Sequence, residues 1–404
     1  MRALFLTWDG PQQTYLESLF LPTFAGLRRH GIEVHVMQFS WASADQLSAT
    51  RSAAAAFGVP YVSHRTSRRF GAAGNLAAIA RGALLATSYA KAEGIDLLFP
   101  RSLLPAGMAL LAKLRLPDTR IVFDADGLMA DERVDFGGWN PRGAQYRSLR
   151  AIEAATLRQA ASVITRTAIA KGILLERAGA GIDAEKIFVI PNAKDAAAFT
   201  PGTDSSRAAV RQRFGVPADA PWLIYVGSLG PQYCPEAMLD LFDQISRRAP
   251  ATRFQLFTLH EQLVRSLLAK RGDPANVQVD RAKPAEIADV TSAADLGLAL
   301  RQVSFSQRAV CPIKVAEYLQ CGVPLVSTGV GDLAAQLDSS VAHMLEGVSH
   351  AQLAAAADWF VGQVLPDRAG FRARCRALGE GLFGLDRCIE AYRSAFEYAA
   401  GGSV

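Results

Sequence analysis

Short apolar runs alternate with stretches of helical periodicity along most of this chain. The first such unit is an apolar run at residues 4–8, a helical stretch at 15–29 and a second apolar run at 34–39. Further apolar runs of strand length follow at residues 97–99, 121–124, 162–165 and 187–190. Strands that alternate with helices form parallel sheets whose two faces are covered by the helices. The pattern therefore predicts an α/β fold built on parallel sheets.

The alternation is interrupted at residues 192–206, where NAKDAAAFTPGTDSS lacks apolar periodicity and is rich in turn formers. The pattern then restarts, with predicted strands at 223–226, 254–257, 277–279, 296–300 and 324–327 and predicted helices at 235–247 and 314–320. A chain of 404 residues exceeds the length at which one hydrophobic core usually stops growing. We therefore predict two domains, at residues 1–195 and 205–384, and a last helix within 385–404 that returns to the first domain.

Composition and net charge restrict the partners and the cellular setting that we expect for this chain. The net charge of +5 suits small anionic ligands or an anionic membrane surface better than a long nucleic acid, so no nucleic-acid partner is expected. The 5 cysteines are scattered without a C-x-x-C pair, which indicates a reduced, cytoplasmic setting. The apolar run at the start of the sequence is too short for a signal peptide or a membrane span.

A basic stretch at residues 64–91 has two interpretations. It contains several cations among alanine, leucine and isoleucine: Arg65, Arg68, Arg69, Arg81 and Lys91. A basic amphipathic helix of this kind can rest on anionic lipid, which would place the protein at the inner face of the membrane. The alternative is an ordinary solvated face beside the core.

The loops after the predicted strands are the places to look for a site, because parallel sheets bind ligands beyond the carboxyl ends of their strands. Gly10 precedes a helix start, where free N–H groups favour an anion or a polar ligand. No G-x-G-x-x-G or G-x-x-x-x-G-K-[ST] pattern is present, which argues against a dinucleotide site and a P-loop.

The loop at residues 124–135, DADGLMADERVD, contains 5 carboxylates directly after a predicted buried strand. Repulsion among close carboxylates raises the pKa of at least one of them unless Arg133 or the hydroxyl groups of a ligand offset it. The alternative is a solvated acidic loop in which Asp131 caps a turn. A metal site is less expected because no histidine lies nearby.

In the second half of the chain, Lys314 and Glu317 share a face at i and i+3 on the predicted helix of CPIKVAEY. They could form a surface ion pair worth about 0.3–0.5 kcal/mol. Alternatively, a cation near a helix start can hold a diphosphate while the carboxylate accepts ribose or sugar hydroxyls. The spacing is compatible with both interpretations.

Three segments resemble glycosyltransferase family 4. PIKVAEYLQCGVPLVST is similar to the donor-site signature S-P-x-K-x-x-E-Y-x-x-x-G-x-P-V-V, IPNAKDAAAF to the interdomain segment I-P-N-G-V-D-x-x-x-F, and LIYVGSL to the first strand of the donor domain. The resemblance covers nearly the whole chain. It implies the GT-B fold, in which two Rossmann-like parallel-sheet domains face each other across a cleft, residues 1–195 on the acceptor side and 205–384 on the donor side.

The resemblance implies an enzyme that transfers a hexose-type sugar from a nucleotide-diphosphate donor, with retention of configuration and without a cofactor or a metal. The acceptor would be a glycan, a lipid-linked molecule or a small molecule, as in polysaccharide biosynthesis. Two alternatives stay open: a nucleotide-sugar epimerase or hydrolase on the same fold, and a catalytically inactive binding subunit.

The resemblance also assigns roles to individual residues. Lys314 would contact the donor diphosphate, Glu317 the ribose, and the backbone of Gly227 and Ser228 the phosphates. Asp126 would be catalytic, in the position where many relatives carry histidine. The remaining assignments are Pro312 and Arg308 on the donor side, and Gly10, Arg101, Asp131 and Glu132 on the acceptor side.

The sequence departs from the family pattern at the donor site. Ala309 stands where a second glutamate is common, and Ser228 and Tyr233 stand where an arginine and a lysine are usual. The diphosphate therefore has fewer of the usual cations. Arg301, Arg308 and Lys283 are alternative replacements.

Overall fold

The computed structural model describes residues 1–11, 14–66 and 71–401. The chain folds into two compact units. The first comprises Met1–Pro191, Phe305–Val310 and Leu385–Val404, and the second comprises Asn192–Ser304 and Cys311–Gly384. The sequence-based division had assigned residues 305–310 to the donor-side domain, and the structure places this segment in the first unit.

The first unit is built on a parallel sheet with the strand order β3-β2-β1-β4-β5-β6-β7. Its strands are β1 (Arg2–Asp9), β2 (Glu33–Ser40), β3 (Tyr61–Arg65), β4 (Leu97–Pro100), β5 (Arg120–Asp126), β6 (Ser162–Thr165) and β7 (Ile187–Val189). β3 is an edge strand of intermediate burial without a continuous apolar run, which is why its sequence did not predict it.

Helices connect these strands. In chain order they are α1 (Leu21–Arg28), α2 (Ala44–Ala56), α3 (Gly71–Glu93), α4 (Leu103–Lys113), α5 (Met129–Asp135), α6 (Ala144–Gln159) and α7 (Ala168–Ala178). The helix predicted at 15–29 is divided, because a π-helical segment at Leu16–Phe20 precedes α1. Proline near the start of α1 is compatible with a first turn, where its missing N–H would have no partner.

The second unit is built on another parallel sheet, with the order β10-β9-β8-β11-β12-β13. Its strands are β8 (Trp222–Val226), β9 (Arg253–Phe257), β10 (Val277–Asp280), β11 (Leu296–Ala299), β12 (Leu325–Thr328) and β13 (Ala342–Leu345). Its helices are α8 (Asp204–Arg213), α9 (Pro235–Arg248), α10 (Glu261–Ala269), α11 (Ile287–Ser292), α12 (Ile313–Gln320), α13 (Leu333–Gln336), α14 (His350–Trp359) and α15 (Arg368–Phe383).

The segment predicted as a linker, 192–206, ends inside α8. Thr203 is the N-cap of this helix, and its side chain accepts a hydrogen bond from the N–H of Ser206. Residues that favour turns are also those that cap helices, so composition alone did not separate a linker from a helix start.

The last helix, α16 (Leu385–Ala399), belongs to the first unit, as the resemblance implies. Phe396 packs edge-on against Phe99 of β4, with ring centroids 5.1 Å apart. A Cβ on Gly26 of α1 would lie 2.2 Å from Cδ1 of Ile389, so a side chain at this position would require Ile389 of α16 to shift. The amphipathic pattern of α16 is thus explained by the face it buries against α1 and β4.

Candidate functional site

The strand order of the second sheet indicates one position as the candidate ligand site. From β8 the chain continues to β9 and β10 on one side, and then places β11 on the other side of β8. Ligands of open α/β sheets bind at such a switch point, beyond the carboxyl ends of the two strands. Gly227 directly follows β8, and Arg301 lies two residues after the end of β11. We call the region around these two residues the β8–β11 edge.

Gly227 provides space at the β8–β11 edge. Its φ of +135° lies in a region that residues with a side chain rarely adopt, and a Cβ there would lie 3.4 Å from Nζ of Lys314. The Gly227 N–H donates a hydrogen bond to the carbonyl of Phe257, 2.9 Å away. Gly227 therefore contributes close approach rather than a free N–H, whereas the neighbouring Ser228 is exposed.

Lys314 is a buried cation at the same edge. It lies in the first turn of α12, whose N-cap is the buried residue Pro312, and is only 8% exposed. Its Nζ lies 3.9 Å from the ring centroid of Tyr225 and 4.5 Å from that of Tyr233. Among the described residues, Nζ has no hydrogen-bond partner. Burial lowers the pKa of Lys314 well below its usual value, and the charge of Arg301 lowers that pKa further.

Glu317 does not form the ion pair with Lys314 that the i, i+3 spacing allowed. Its Oε1 lies 2.8 Å from Nζ of Lys194, and both side chains are largely buried. The amide of Gln320 donates to the carbonyl of Lys194 at 3.0 Å and helps to hold that segment against α12. Lys194 therefore orients Glu317, and Lys314 is left available for an anion.

The first sheet has its switch point between β1 and β4. Asp9 ends β1, Gly10 follows it, and Arg101 follows β4. One guanidinium nitrogen of Arg101 lies 2.7 Å from Oδ2 of Asp126, and another lies 3.6 Å from Oδ1 of Asp9. The loops after β1, β4 and β5 thus bring two carboxylates to one buried arginine.

Asp126 stands at an irregular position of β5. The pairing of β5 with β6 shifts register between Asp124 and Asp126, and φ of Asp126 is +56°. Bulges of this kind redirect a side chain at a strand end. The Asp126 carboxylate is 34% exposed and also lies 3.6 Å from Nε of Arg166. Burial by itself raises the pKa of a carboxyl, but the charges of Arg101 and Arg166 outweigh it and lower the pKa of Asp126.

Arg166 supports this cluster from inside the first unit. It pairs with Asp124, and its side chain is 4% exposed while that of Asp124 is 0% exposed. The same guanidinium donates to the Tyr392 hydroxyl of α16 at 3.0 Å and to the carbonyl of Ile190 at 3.2 Å. Arg166 therefore links Asp124 of β5 to Ile190, which directly follows β7, and to Tyr392 of α16.

Replacing Arg166 with methionine is expected to destabilise the first unit by about 3–5 kcal/mol, because Asp124 would remain buried without its counter-charge. Urea unfolding of the wild type and the variant measures this loss. Arg393→Met is the matched control: its partner Glu390 lies on an exposed face of α16, where a pair is worth about 0–1 kcal/mol. Equal effects of the two replacements would contradict a structural role for Arg166.

The sequence model of Glycosyltransferase Family 4 matches residues 23–198. These residues resemble glycosyltransferase family 4. The D-inositol 3-phosphate glycosyltransferase of Kineococcus radiotolerans is 34% identical over 172 residues, a match that covers 38% of this chain and 36% of that protein. Across three such relatives the match spans 36%, 49% and 53% of their length, about a third to a half.

Solved structures share the fold of this chain over almost its whole length. Anabaena HepE, in complex with UDP and glucose, has a TM-score of 0.73 at 16% identity, covering 98% of this chain and 99% of that one. WaaG, a glycosyltransferase involved in lipopolysaccharide biosynthesis, has a TM-score of 0.72 at 16% identity, covering 100% of both chains. At this identity the likeness shows the fold. The chain has the GT-B fold.

Two of the acceptor-side residues that the family 4 resemblance assigned are occupied by structural contacts. Asp131 is 7% exposed; it accepts hydrogen bonds from Arg177 at 2.9 Å and from the Tyr146 hydroxyl at 3.0 Å. It is therefore an internal counter-ion rather than part of an open surface. A Cβ on Gly10 would lie 2.6 Å from Cζ2 of Trp41, so Gly10 is explained by packing against that ring.

The other assigned residues differ in their surroundings. Glu132, in the first turn of α5, is exposed, and its role on the acceptor side stays a prediction. Arg308 was assigned to the donor side, but the structure places it in the first unit, where the Thr167 hydroxyl donates to its carbonyl at 3.1 Å. Its guanidinium lies 5.5 Å from the ring of Phe305. The role of Arg308 on the donor side stays a prediction.

Two expectations depend on segments that are only partly described. Arg68 and Arg69 of the basic stretch lie outside the described residues, and contact with a membrane surface stays a prediction. No helix within the described ranges is both long and apolar enough to cross a membrane. The same ranges contain no group of 3 or more His, Cys, Asp or Glu side chains that could hold a metal ion.

Sequence reasoning missed Asp9, Arg166 and Lys194. Asp9 is the last residue of β1 and Arg166 directly follows β6, and this position at the end of a buried strand was the available signal. Lys194 lies in the segment interpreted as a linker, and only its folded position shows that it pairs with Glu317. Each of these residues acts through a partner more than 100 positions away in the sequence or on a different strand.

Proposed function

We propose that this chain is a glycosyltransferase that transfers a hexose-type sugar from a nucleoside-diphosphate donor bound at the β8–β11 edge. The observation that carries the proposal is the buried ammonium of Lys314, which has no hydrogen-bond partner among the described residues. Holding a cation away from water without an anion is unfavourable, and a diphosphate would provide that anion. The switch-point position of Gly227 and Lys314 supports this assignment.

The names of similar proteins point to the same chemistry. Curated relatives are named D-inositol 3-phosphate glycosyltransferase, and HepE is described in complex with UDP and glucose. These descriptions support a nucleotide-sugar donor with a UDP-type leaving group. A glycan, a lipid-linked molecule or a small molecule is the proposed acceptor, and retention of configuration is the proposed outcome.

Each side chain has a distinct task in this mechanism. Charge develops on the leaving diphosphate as its bond to the sugar breaks, and Lys314 would stabilise that charge. Glu317, held by Lys194, would accept hydrogen bonds from the ribose hydroxyls. The leaving phosphate would take the acceptor proton, so no separate base is required. Asp126, an ionised carboxylate, would stabilise positive charge on the sugar ring or orient a hydroxyl.

A thermal-shift panel of UDP-, GDP-, CMP- and TDP-sugars tests the donor assignment. A ligand at 100 times its Kd stabilises the folded state by about 2.7 kcal/mol, so one donor class should raise the melting temperature clearly. Product analysis with that donor then separates the alternatives. Free sugar formed without regard to the acceptor would indicate a hydrolase, and an epimerised nucleotide sugar an epimerase. If no nucleotide sugar binds, the transferase proposal fails and a binding subunit is favoured.

A further inference from the structure

The ring of Tyr233 lies against two cations at the β8–β11 edge. Cζ of Arg301 is 4.6 Å from the ring centroid, and Nζ of Lys314 is 4.5 Å from the same centroid. Arg301 is 9% exposed and Lys314 is 8% exposed. Two like charges are therefore held near one another with little water to screen them, an arrangement that favours the binding of an anion.

The backbone fixes the position of Arg301. The Arg301 N–H donates to the Thr328 hydroxyl at the end of β12, with a distance of 3.0 Å. Tyr233 and Arg301 also form an isolated antiparallel bridge. The backbone of Arg301 is consequently held by the end of β12 and by the segment that precedes α9. The guanidinium then lies against the ring of Tyr233, which Lys314 also contacts.

The two cations influence each other. Burial lowers the pKa of Lys314 most, and the positive charge of Arg301 lowers it further. The negative charge of Glu317 raises this pKa and only partly opposes the effect of Arg301. The carboxylate of Glu317 is also occupied by Lys194. An anion with two charged groups would contact both cations and remove the repulsion between them. A planar guanidinium suits this task because it can bind phosphate oxygens in a bidentate manner.

We propose that Arg301 is the second cation of the donor site, and that it binds the diphosphate of the nucleotide sugar together with Lys314. Both cations lie against the ring of Tyr233. This inference rests on the proposed function. Neither Ser228 nor Tyr233 carries a positive charge. Arg301, two residues after the end of β11, would supply the positive charge that these two side chains lack for diphosphate recognition.

Calorimetric titration of Arg301→Gln with UDP and with UMP tests the inference. We expect affinity for UDP to fall about 10–100-fold, the range for losing a hydrogen bond to a charged group, and affinity for UMP to fall about 3-fold or less. A merely structural role would lower both affinities alike, since both ligands carry the same nucleoside. Arg301→Lys, which keeps the charge without the planar fork, should recover part of the UDP affinity.

Arg265→Gln is the matched control, because Arg265 is an exposed arginine of the same unit with a side chain that is 64% exposed. It should bind both nucleotides like the wild type. The diphosphate and monophosphate of the preferred nucleoside replace UDP and UMP if the panel identifies another donor. Wild-type protein that binds no nucleoside diphosphate of the panel would overturn the proposed function itself. Wild-type binding of a diphosphate with an equal affinity in Arg301→Gln would overturn only the role of Arg301.

Discussion

Replacing Lys314 with methionine is expected to weaken donor binding about 10–100-fold and, at the same time, to make the fold more stable. The first effect follows from losing a charge-assisted contact with the diphosphate. The second follows because the variant no longer buries an ammonium without a hydrogen-bond partner, while methionine retains the apolar stem. Contacts of Nζ with the rings of Tyr225 and Tyr233 offset part of that penalty, so a gain of about 1–2 kcal/mol is expected.

The stability gain of Lys314→Met should depend on pH in a defined direction. The pKa of Lys314 is lower in the folded state than in the unfolded state, so the unfolded state binds the extra proton. The penalty is complete below the folded pKa and disappears as the pH rises to the ordinary lysine pKa of about 10.4. Wild type and variant should therefore differ most at pH values below the folded pKa of Lys314 and converge at about pH 10.

Thermal unfolding and titration with the donor from the panel measure both effects on the same samples. Lys270→Met is the control, because Lys270 is an exposed lysine at the end of α10 in the same unit. It should change neither quantity. A Lys314→Met protein that binds the donor as tightly as the wild type would remove the central residue of the proposed donor site. Loss of binding with gain of stability cannot be attributed to misfolding.

Asp126→Asn is expected to lower kcat about 10²–10³-fold, the usual effect of removing one electrostatic contact to a transition state. Donor affinity should change by less, about 3-fold or less, because the diphosphate is bound by the second unit. The amide keeps the shape of the side chain but removes the negative charge that faces Arg101 and Arg166. Some stability is expected to be lost as well, since two guanidinium groups then share fewer counter-charges.

Steady-state kinetics with saturating donor, together with donor titration, separate these effects. Asp118→Asn is the matched control: Asp118 is exposed and lies just before β5, at the opposite end of the strand from Asp126. It should behave like the wild type. Equal losses of turnover and donor affinity in Asp126→Asn would place Asp126 outside the reaction and in the support of the fold.

Two carboxylates of the loop at residues 124–135 show what the sequence pattern could predict and what it could not. The sequence places both in one acidic loop at residues 124–135, and the family 4 resemblance assigned Asp126 to catalysis and Asp131 to the acceptor side. The fold separates them, because Asp131 is turned toward Arg177 of α7 whereas Asp126, at the bulge of β5, is a third exposed. Orientation depends on a register shift and on a distant helix, and neither is encoded in the local pattern of residue types.

The donor-side cations illustrate the same limit. Lys314 was identified from its motif, and its position near a helix start was predicted correctly. Arg301, Arg308 and Lys283 were equivalent replacements for the missing cations as far as the sequence showed. Strand order supports Arg301, because β11 lies beside β8 and Arg301 lies two residues after the end of β11, whereas donor-side roles of Arg308 and Lys283 stay predictions.

The sequence by itself determined the α/β class, the repeated parallel-sheet pattern and the motif around Lys314 and Glu317, because periodicity and helix-start chemistry are local properties of the chain. Tertiary structure alone decided which strand ends are neighbours, that Glu317 pairs with Lys194, and that Lys314 is left without a partner among the described residues. The reason is physical: strand order and burial join residues far apart in the chain, and these long-range contacts set which charges are neutralised and which remain for a ligand.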